Sequence, residues 1–225
     1  MPDLKKHFNN EAESFDSRVE KVTPRYDEML EALINAIPDV SDSPRVLDLG
    51  CGTGNITLKV FKRFPNAHVT CLDLSENMLE IAKEKLADYD VEYVLGDFTI
   101  IDLIDEYDAI ISSLALHHIR DDEGKLAMYK EIHKSLKDGG VFYNADIISA
   151  SSKYNEELNN KISKDHMIKC GVTEEEITEH YQKRHSNDIP TTLEKHFEFL
   201  KEAGFKELDV IWKYYNTAVY GGTKK

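Results

Sequence analysis

Three glycines with regular spacing follow a short, largely apolar segment, and together they predict a ligand-binding turn. Gly50, Gly52 and Gly54 come directly after residues 46–49. Glycine permits a sharp bend and lets a ligand approach bare backbone. A helix predicted from Asn55 onwards would direct its N-terminal N–H groups at this turn, which favours a bound anion. The segment is therefore predicted to bind a ligand at this turn, with an anion favoured at the start of the helix.

An acidic residue ends the next apolar segment and sharpens this interpretation. Asp73 closes residues 68–73, about 20 residues past the turn, where a carboxylate can hold ribose hydroxyls. The spacing G-x-G-x-G differs from the G-x-G-x-x-G of dinucleotide enzymes. Asp73 and the glycine turn together predict a cofactor that contains a nucleoside.

Two adjacent histidines, His117 and His118, are the candidate catalytic residues. Histidine is the usual general base near neutral pH, and such a base is needed where an acceptor must lose a proton. The alternative is that one histidine packs against the sheet and the other caps a helix. Adjacent histidines without a third ligand at metal spacing make a poor zinc site, so no metal is expected.

The elements that must position these residues alternate between strand and helix. The predicted strands are about 45–49, 68–73, 91–95, 107–112 and 139–147, and the predicted helices are about 54–63, 75–87 and 121–137. Right-handed crossovers then give a doubly wound sheet that binds ligands at the C-terminal ends of its strands. Residues 205–220 read as two further strands that close the sheet as an antiparallel pair.

Segments at both ends of this core are predicted to cover the ligand edge. Residues 1–40 contain a short, partly anchored helix around Phe8 and Phe15, then a second helix that starts at Thr23 and Pro24. Tyr26 either packs in this covering helix or forms a wall of the ligand site. Residues 150–203 hold two or three helices, and long insertions at this edge commonly form lids. The whole chain, 1–225, is predicted to be one domain.

The motif formed by Asp48, Gly50, Gly52 and Gly54 resembles D-x-G-x-G-x-G, the first motif of class I S-adenosylmethionine-dependent methyltransferases. The resemblance implies a Rossmann-like, seven-stranded, mostly parallel sheet with an antiparallel last strand, and S-adenosyl-L-methionine as cofactor. Asp97 and Phe98 are similar to the family's adenine clamp, although Asp97 also suits a turn after Gly96. The implied cofactor contacts are Tyr26, Asp48, Gly50, Cys51, Gly52, Gly54, Asp73, Leu74, Met78, Asp97, Phe98 and Ser113.

Three motifs stand near the ends of the chain: Phe15-Asp16-x-Arg18-Val19-x-x-Val22-x-Pro24, Gln182-Lys183-Arg184 and Leu200-x-x-Ala203-Gly204-Phe205. They resemble carboxy-S-adenosylmethionine synthases of tRNA wobble-uridine modification. In that family a tyrosine, an asparagine and an arginine hold the carboxylated cofactor. Tyr26 and Arg184 match the tyrosine and the arginine, whereas Ser113 stands at the position of the asparagine. The glycine turn is also richer in glycine than in that enzyme. Arg184 is otherwise a solvated charge on a helix face, as most arginines are.

The expected function is methyl transfer from S-adenosylmethionine to a small molecule that carries a carboxylate bound by Arg184. The alternatives are a carboxy-S-adenosylmethionine synthase and a non-catalytic cofactor-binding module. Lys and Arg total 28 against 42 Asp and Glu, a net charge of −14, which opposes direct nucleic-acid binding. Three cysteines without a C-x-x-C pair, and no apolar run that spans a bilayer, favour a cytoplasmic protein without a membrane partner. A homodimer is left open.

Overall fold

The computed structural model describes residues 2–39, 41–103 and 106–225. Met1 and Val40 of the predicted covering segment lie outside the described residues. The helices α1 to α8 span Pro2–Val22, Tyr26–Ala36, Asn55–Arg63, Glu76–Lys85, Asp122–Ser135, Lys153–Lys169, Glu174–Asn187 and Leu193–Ala203. The strands β1 to β7 span Arg45–Leu49, His68–Asp73, Val91–Leu95, Tyr107–Ser113, Leu136–Ile147, Lys206–Tyr214 and Thr217–Thr223.

The described strands form a seven-stranded sheet in the order β3-β2-β1-β4-β5-β7-β6. Strands β1 to β5 pair in parallel, and β7 runs antiparallel to both β5 and β6. This confirms the predicted doubly wound, mostly parallel sheet with an antiparallel last strand. The strand order reverses direction between β1 and β4, and ligands of such sheets bind at this crevice.

The apolar core occupies both faces of the sheet. On one face, α2 and α3 bury Met29, Leu33 and Val60 against the sheet. On the other face, α5 and α8 bury Tyr129 and Leu200. Six apolar residues recur at helical spacing in and just after α2, and all are buried: Tyr26, Met29, Leu30, Leu33, Ile34 and Ile37. The core therefore fixes the strand ends from both sides.

The prediction of a short first helix is wrong, because α1 runs for 21 residues. Hydrogen bonds and ion pairs anchor α1, whose few apolar residues only weakly indicated a long helix. Asn9 Oδ1 accepts from Ser75 Oγ at 2.7 Å, and Asp16 Oδ2 accepts from Lys85 Nζ at 2.7 Å, so both join α1 to α4. At its far end, His166 on α6 contacts the carbonyl of Glu20 at 2.9 Å.

The predicted boundary between α5 and β5 is also wrong. The sequence predicts a helix to about residue 137 and a strand from about residue 139, yet α5 ends at Ser135 and β5 already begins at Leu136. The buried Leu136 pairs with Tyr107, and a register shift before the Ala109–Val141 pair accommodates the intervening residues, including Gly139 at φ 81°. The glycines thus form a bulge within the strand.

The insertion contains three described helices, α6, α7 and α8, in agreement with the expectation of two or three. Thr173 caps α7 in a capping box with Glu176. The sequence from Thr191 to Glu194 also predicts a capping box, but that prediction is wrong, because Thr192 caps α8 and the third helical position is Lys195. None of the described helices combines the length and apolarity needed to span a membrane.

Candidate active site

The glycine turn between β1 and α3 has the backbone that its sequence predicts. Gly50, Gly52 and Gly54 have φ angles of 70°, 54° and 81°, which side chains rarely adopt. The N–H groups of Gly50 and Cys51 both donate to the carbonyl of Leu72, at 2.8 and 3.1 Å. A Cβ at Gly50 would lie 2.5 Å from the Cβ of Ala115. The turn is therefore packed tightly on one side and open on the other.

Asp73, at the end of β2, is held in place by the backbone around it. Its two carboxylate oxygens accept from the N–H groups of Gly52 and Ser75, each at 2.8 Å. Burial raises the pKa of Asp73, although these hydrogen bonds act to lower it. Each carboxylate oxygen has a further lone pair for a ligand hydroxyl. The geometry suits the predicted contact with ribose.

A first cavity, of about 780 Å³ with the part open to solvent, lies in front of the turn and Asp73. This volume lies within the range of small-molecule sites. The predicted residues that line it are Tyr26, Gly50, Cys51, Gly52, Asp73, Leu74, Met78, Asp97, Phe98, Ser113 and His118. Ser113 Oγ is buried there with no hydrogen-bond partner among the described residues. An unpaired hydroxyl, bare glycine backbone and a carboxylate in one apolar cavity fit a nucleoside ligand.

Asp48 and Gly54 are the two predicted cofactor contacts that do not line this cavity. Asp48 lies behind the turn, where its Oδ2 accepts from Thr57 Oγ1 at 2.6 Å. Burial raises the pKa of Asp48 to about 7. Gly54 caps α3, and a Cβ there would lie 2.9 Å from Leu86, which follows α4. Both residues shape the turn from behind.

Asp97 serves its local turn and also lines the cavity. Its Oδ1 accepts from the N–H and the hydroxyl of Thr99, at 3.0 and 2.6 Å. Phe98 lines the same cavity beside it. Asp97 is thus a turn residue that also lines the cavity, and its role in an adenine clamp stays a prediction.

The long α1 supplies residues that sequence reasoning missed. Asp16 Oδ1 accepts from Thr53 Oγ1 at 2.6 Å and from Asn55 Nδ2 at 2.9 Å. This joins α1 to the glycine turn, while Phe8 and Phe15 line the first cavity. Such partners lie far apart in the chain, and no local spacing indicates them.

A second cavity, of about 870 Å³ with the part open to solvent, adjoins the first. Phe8, Phe15, Leu114 and His118 line both. Leu114 has a φ of 52°, a strained conformation for a branched residue and one that clusters at functional sites. The remaining wall comes mainly from α1, from α7 and from the residue that follows α7. The second cavity thus shares a wall with the predicted cofactor cavity.

The charges that line the second cavity are mostly paired. Glu11 of α1 contacts Arg18 at 2.6 Å and Lys183 at 2.8 Å. Arg184 Nε lies 3.7 Å from Asp188 Oδ2, and within the described residues it has no closer carboxylate. The guanidinium fork of Arg184 is therefore not committed to a bidentate pair. The predicted site residues His117 and Arg184 lie here, outside the first cavity.

His117 is buried and is held by Asp146, which sequence reasoning missed. His117 Nδ1 lies 2.5 Å from Asp146 Oδ1, and the His117 N–H donates to Asp146 Oδ2 at 3.0 Å. Burial opposes protonation of His117, but Asp146 and Asp188 outweigh it and raise its pKa. Burial, with His117 nearby, lowers the pKa of His118 to about 3. The two neighbours therefore differ in basicity.

A buried hydrogen-bond chain continues from Asp146 through the sheet. Asn144 Nδ2 donates to Asp146 Oδ2 at 3.2 Å and to the hydroxyl of Tyr220 at 2.9 Å. The hydroxyls of Tyr220 and Tyr129 lie 3.3 Å apart, and Tyr129 contacts His196 Nδ1 at 2.7 Å. This chain fixes the orientation of Asp146 and therefore of His117.

Comparison with known proteins shows which family the chain resembles. A methyltransferase-domain family model matches residues 46–140. The carboxy-S-adenosyl-L-methionine synthase of Nautilia profundicola is 30% identical over 217 residues, 95% of this chain and 92% of that protein. The malonyl-[acyl-carrier protein] O-methyltransferase of Priestia megaterium is 32% identical over 139 residues, 61% of this chain and 48% of that protein.

A solved structure shows the same fold. Human N-acetylserotonin methyltransferase in complex with S-adenosylmethionine superposes with a TM-score of 0.61 at 18% identity, covering 87% of this chain and 51% of that one. The chain spans about half the length of this protein and of the Priestia relative.

The chain belongs to the class I S-adenosylmethionine-dependent methyltransferase family. It is an enzyme, and S-adenosylmethionine is its cofactor. Within the family it is similar along most of its length to carboxy-S-adenosyl-L-methionine synthase. The first cavity brings together three groups predicted to contact this cofactor: the carboxylate of Asp73, open backbone at Gly52, and the unpaired hydroxyl of Ser113.

Gly52→Ala is expected to weaken S-adenosylmethionine binding roughly tenfold, about 1.4 kcal/mol. A Cβ at Gly52 meets no described protein atom within 4 Å, so it would project into the first cavity. Calorimetry with S-adenosylmethionine measures the effect. Gly139→Ala is the matched control, because Gly139 also has a left-handed φ and open space but lies at the bulge in β5. Equal affinity in the two variants would place the cofactor elsewhere.

Proposed function

We propose that the enzyme transfers the methyl group of S-adenosylmethionine to a small carboxylic acid bound in the second cavity. One observation carries the proposal: the cavity is lined by Arg18, Lys183 and Arg184 against the carboxylates of Glu11 and Asp188. A chain with a net charge of −14 thus places an excess of cations beside its cofactor cavity. Such local charge attracts a small anion.

Arg184 is the group that we propose binds the acceptor carboxylate. It is 14% exposed and lines the second cavity from α7. Its planar fork can hold a carboxylate through two parallel hydrogen bonds, which fixes orientation as well as charge. Methyl transfer depends chiefly on such positioning, because the sulfonium is already a strong electrophile. The name of the Priestia relative, which acts on a malonyl group, supports an acid as acceptor.

The histidine pair lies where the two cavities meet, and we propose that it acts on the reacting group of the acceptor. His118 lines both cavities, and its ring lies 4.0 Å from that of His117. His117, oriented by Asp146, is the stronger base where the acceptor must lose a proton. The net negative charge of the whole chain supports a small-molecule acceptor over a nucleic acid.

Arg184→Ala is expected to lower kcat/KM for the acid roughly tenfold, the effect of losing a charge-assisted hydrogen bond. S-adenosylmethionine affinity should stay unchanged. Arg184→Lys should also lose turnover, because it keeps the charge and removes the fork. The assay follows S-adenosylhomocysteine release with a panel of small mono- and dicarboxylic acids. Arg25→Ala is the matched control, since Arg25 pairs with Glu28 at 2.9 Å and is not among the residues that line the second cavity. Unchanged turnover in both Arg184 variants would overturn this role.

A second candidate is carboxy-S-adenosylmethionine synthesis, supported by the similarity to the Nautilia enzyme over 92% of that protein. Tyr26 and Arg184, the positions that match that family, line neighbouring cavities. Mass spectrometry of the cofactor that copurifies with the enzyme separates the candidates. S-adenosylmethionine or S-adenosylhomocysteine supports methyl transfer, whereas a carboxylated cofactor supports the synthase.

A further inference from the structure

Three metal-ligating side chains meet at the wall of the second cavity. Asp188 Oδ1 lies 3.6 Å from His117 Nε2 and 3.5 Å from His118 Nδ1. One ligand atom from each of the three residues lies within 4.8 Å of the others. Asp188 follows α7, so the sequence around the two histidines gives no sign of it. The expectation of no metal depended on the lack of such a third group.

We propose that His117, His118 and Asp188 bind a divalent first-row transition ion. Two imidazoles and one carboxylate form a recurrent catalytic ligand set, in which further coordination positions stay open for water or substrate. Metal–ligand bonds of about 2.0–2.2 Å place neighbouring donor atoms roughly 3.0–3.5 Å apart. The contacts of Asp188 with both histidines already lie close to this range.

The neighbours of this cluster, which we call the His-His-Asp site, hold it as metal ligands are usually held. Asp146 contacts His117 Nδ1 at 2.5 Å, which leaves Nε2 facing Asp188. A carboxylate on the second nitrogen of a ligating histidine fixes its tautomer and orientation. The N–H of Ile189 donates to the carbonyl of His117 at 2.8 Å, which joins the segment of Asp188 to that of the histidines.

The alternative is an ion pair in which a protonated His117 lies between Asp146 and Asp188. That arrangement accounts for His117 and both carboxylates. It leaves the second imidazole with one hydrogen bond, which its Nδ1 donates to the carbonyl of Asn187 at 3.2 Å, while Asp188 lies 3.5 Å from the same nitrogen. In the metal site both imidazoles are ligands, and His118 Nδ1 would give up that hydrogen bond and carry its proton on Nε2 instead.

The inference deepens the proposed function, because all three ligands line the second cavity. An ion there would present its open positions to the acceptor, beside Arg184. It would add positive charge to a cavity proposed to bind an acid. The ion would then hold an oxygen of the acceptor, and the two histidines would act on the acceptor through the ion instead of as a base.

The test is titration of the full-length, tag-free, chelator-treated enzyme with Co²⁺, followed by its visible absorbance, with Zn²⁺ as competitor. A Cys170→Ser background is required, because the exposed Cys170 Sγ lies 3.6 Å from His166 Nε2 and offers a rival site. We expect one saturable Co²⁺ equivalent with bands characteristic of nitrogen and oxygen ligands, displaced by Zn²⁺.

The variants locate the ion. Asp146→Asn should weaken Co²⁺ binding roughly 10- to 100-fold, as expected for a group that orients a ligand. His118→Gln and Asp188→Asn should weaken it at least as much, and both retain the approximate side-chain size needed for folding. His180→Gln is the matched control: His180 lines the same cavity on α7 but lies outside the His-His-Asp site.

Two results would overturn the inference: no saturable Co²⁺ uptake by the background enzyme, or equal uptake in His118→Gln, Asp188→Asn and the control. Melting curves show that each variant is folded before it is titrated. Uptake is measured without cofactor or acid, so a negative result leaves methyl transfer to a carboxylic acid standing. Failure of every acid in the turnover assay, in turn, leaves a measured metal site intact.

Discussion

Asp73→Ala is expected to weaken S-adenosylmethionine binding roughly 10- to 100-fold, which corresponds to about 1–3 kcal/mol. The ribose hydroxyls lose their acceptor, and the N–H groups of Gly52 and Ser75 lose theirs as well. The side chain is only 8% exposed, so water compensates poorly for these losses. Calorimetry with S-adenosylmethionine and S-adenosylhomocysteine should show the same loss for both ligands, because they share the ribose.

The matched control for this prediction is Asp108→Ala. Asp108 is also a carboxylate that accepts from a backbone N–H, that of Arg45 at 2.8 Å. It lies at the beginning of β4, whereas Asp73 ends β2 at the ligand edge. Cofactor affinity should therefore be unchanged in Asp108→Ala. If Asp73→Ala melts cooperatively and binds both ligands as the unmodified enzyme does, the assignment of the ribose contact is wrong.

The cofactor half of the site could be predicted because its chemistry is local. Gly50 and Gly52 stand where the backbone has a left-handed conformation that other residues rarely adopt. Asp73 follows at a fixed distance, which is set by one strand–helix–strand unit. These three residues lie within about 25 residues of sequence, and in the structure all of them line the first cavity. Asp48 belongs to the same motif, but strand alternation turns it towards α3 and away from the ligand.

The acceptor half could be predicted only in part, because its partners are distant in the chain. His117 and Arg184 were recognised as reactive types, yet Asp146 and Asp188, which contact them, carry no local signal. The length of α1 was missed for a related reason. Its anchors are hydrogen bonds such as Asp16 to Thr53, and apolar periodicity does not record them.

The buried His196 is expected to make the fold sensitive to acid. It lies on α8 with 2% of its surface exposed, and burial lowers its pKa from 6.5 to about 4. Asp146 opposes this shift, and the nearby Lys125 adds to it. The unfolded chain therefore binds a proton at this residue below pH 6.5, whereas the folded protein does so only below about pH 4. Between these values the unfolded state holds more protons, so stability falls as pH falls.

Between pH 7 and 4.5, His196→Gln should lose about 2–3 kcal/mol less unfolding free energy than the unmodified enzyme, because one pKa unit corresponds to about 1.4 kcal/mol. Urea unfolding at several pH values measures the slope. Tyr129→Phe is the matched control, because it breaks the same 2.7 Å contact with His196 Nδ1 but leaves the imidazole buried. Both variants should be less stable than the unmodified enzyme at pH 7, while only Tyr129→Phe keeps its acid sensitivity. If His196→Gln loses stability in parallel with Tyr129→Phe as pH falls, burial of His196 is not a source of the acid response.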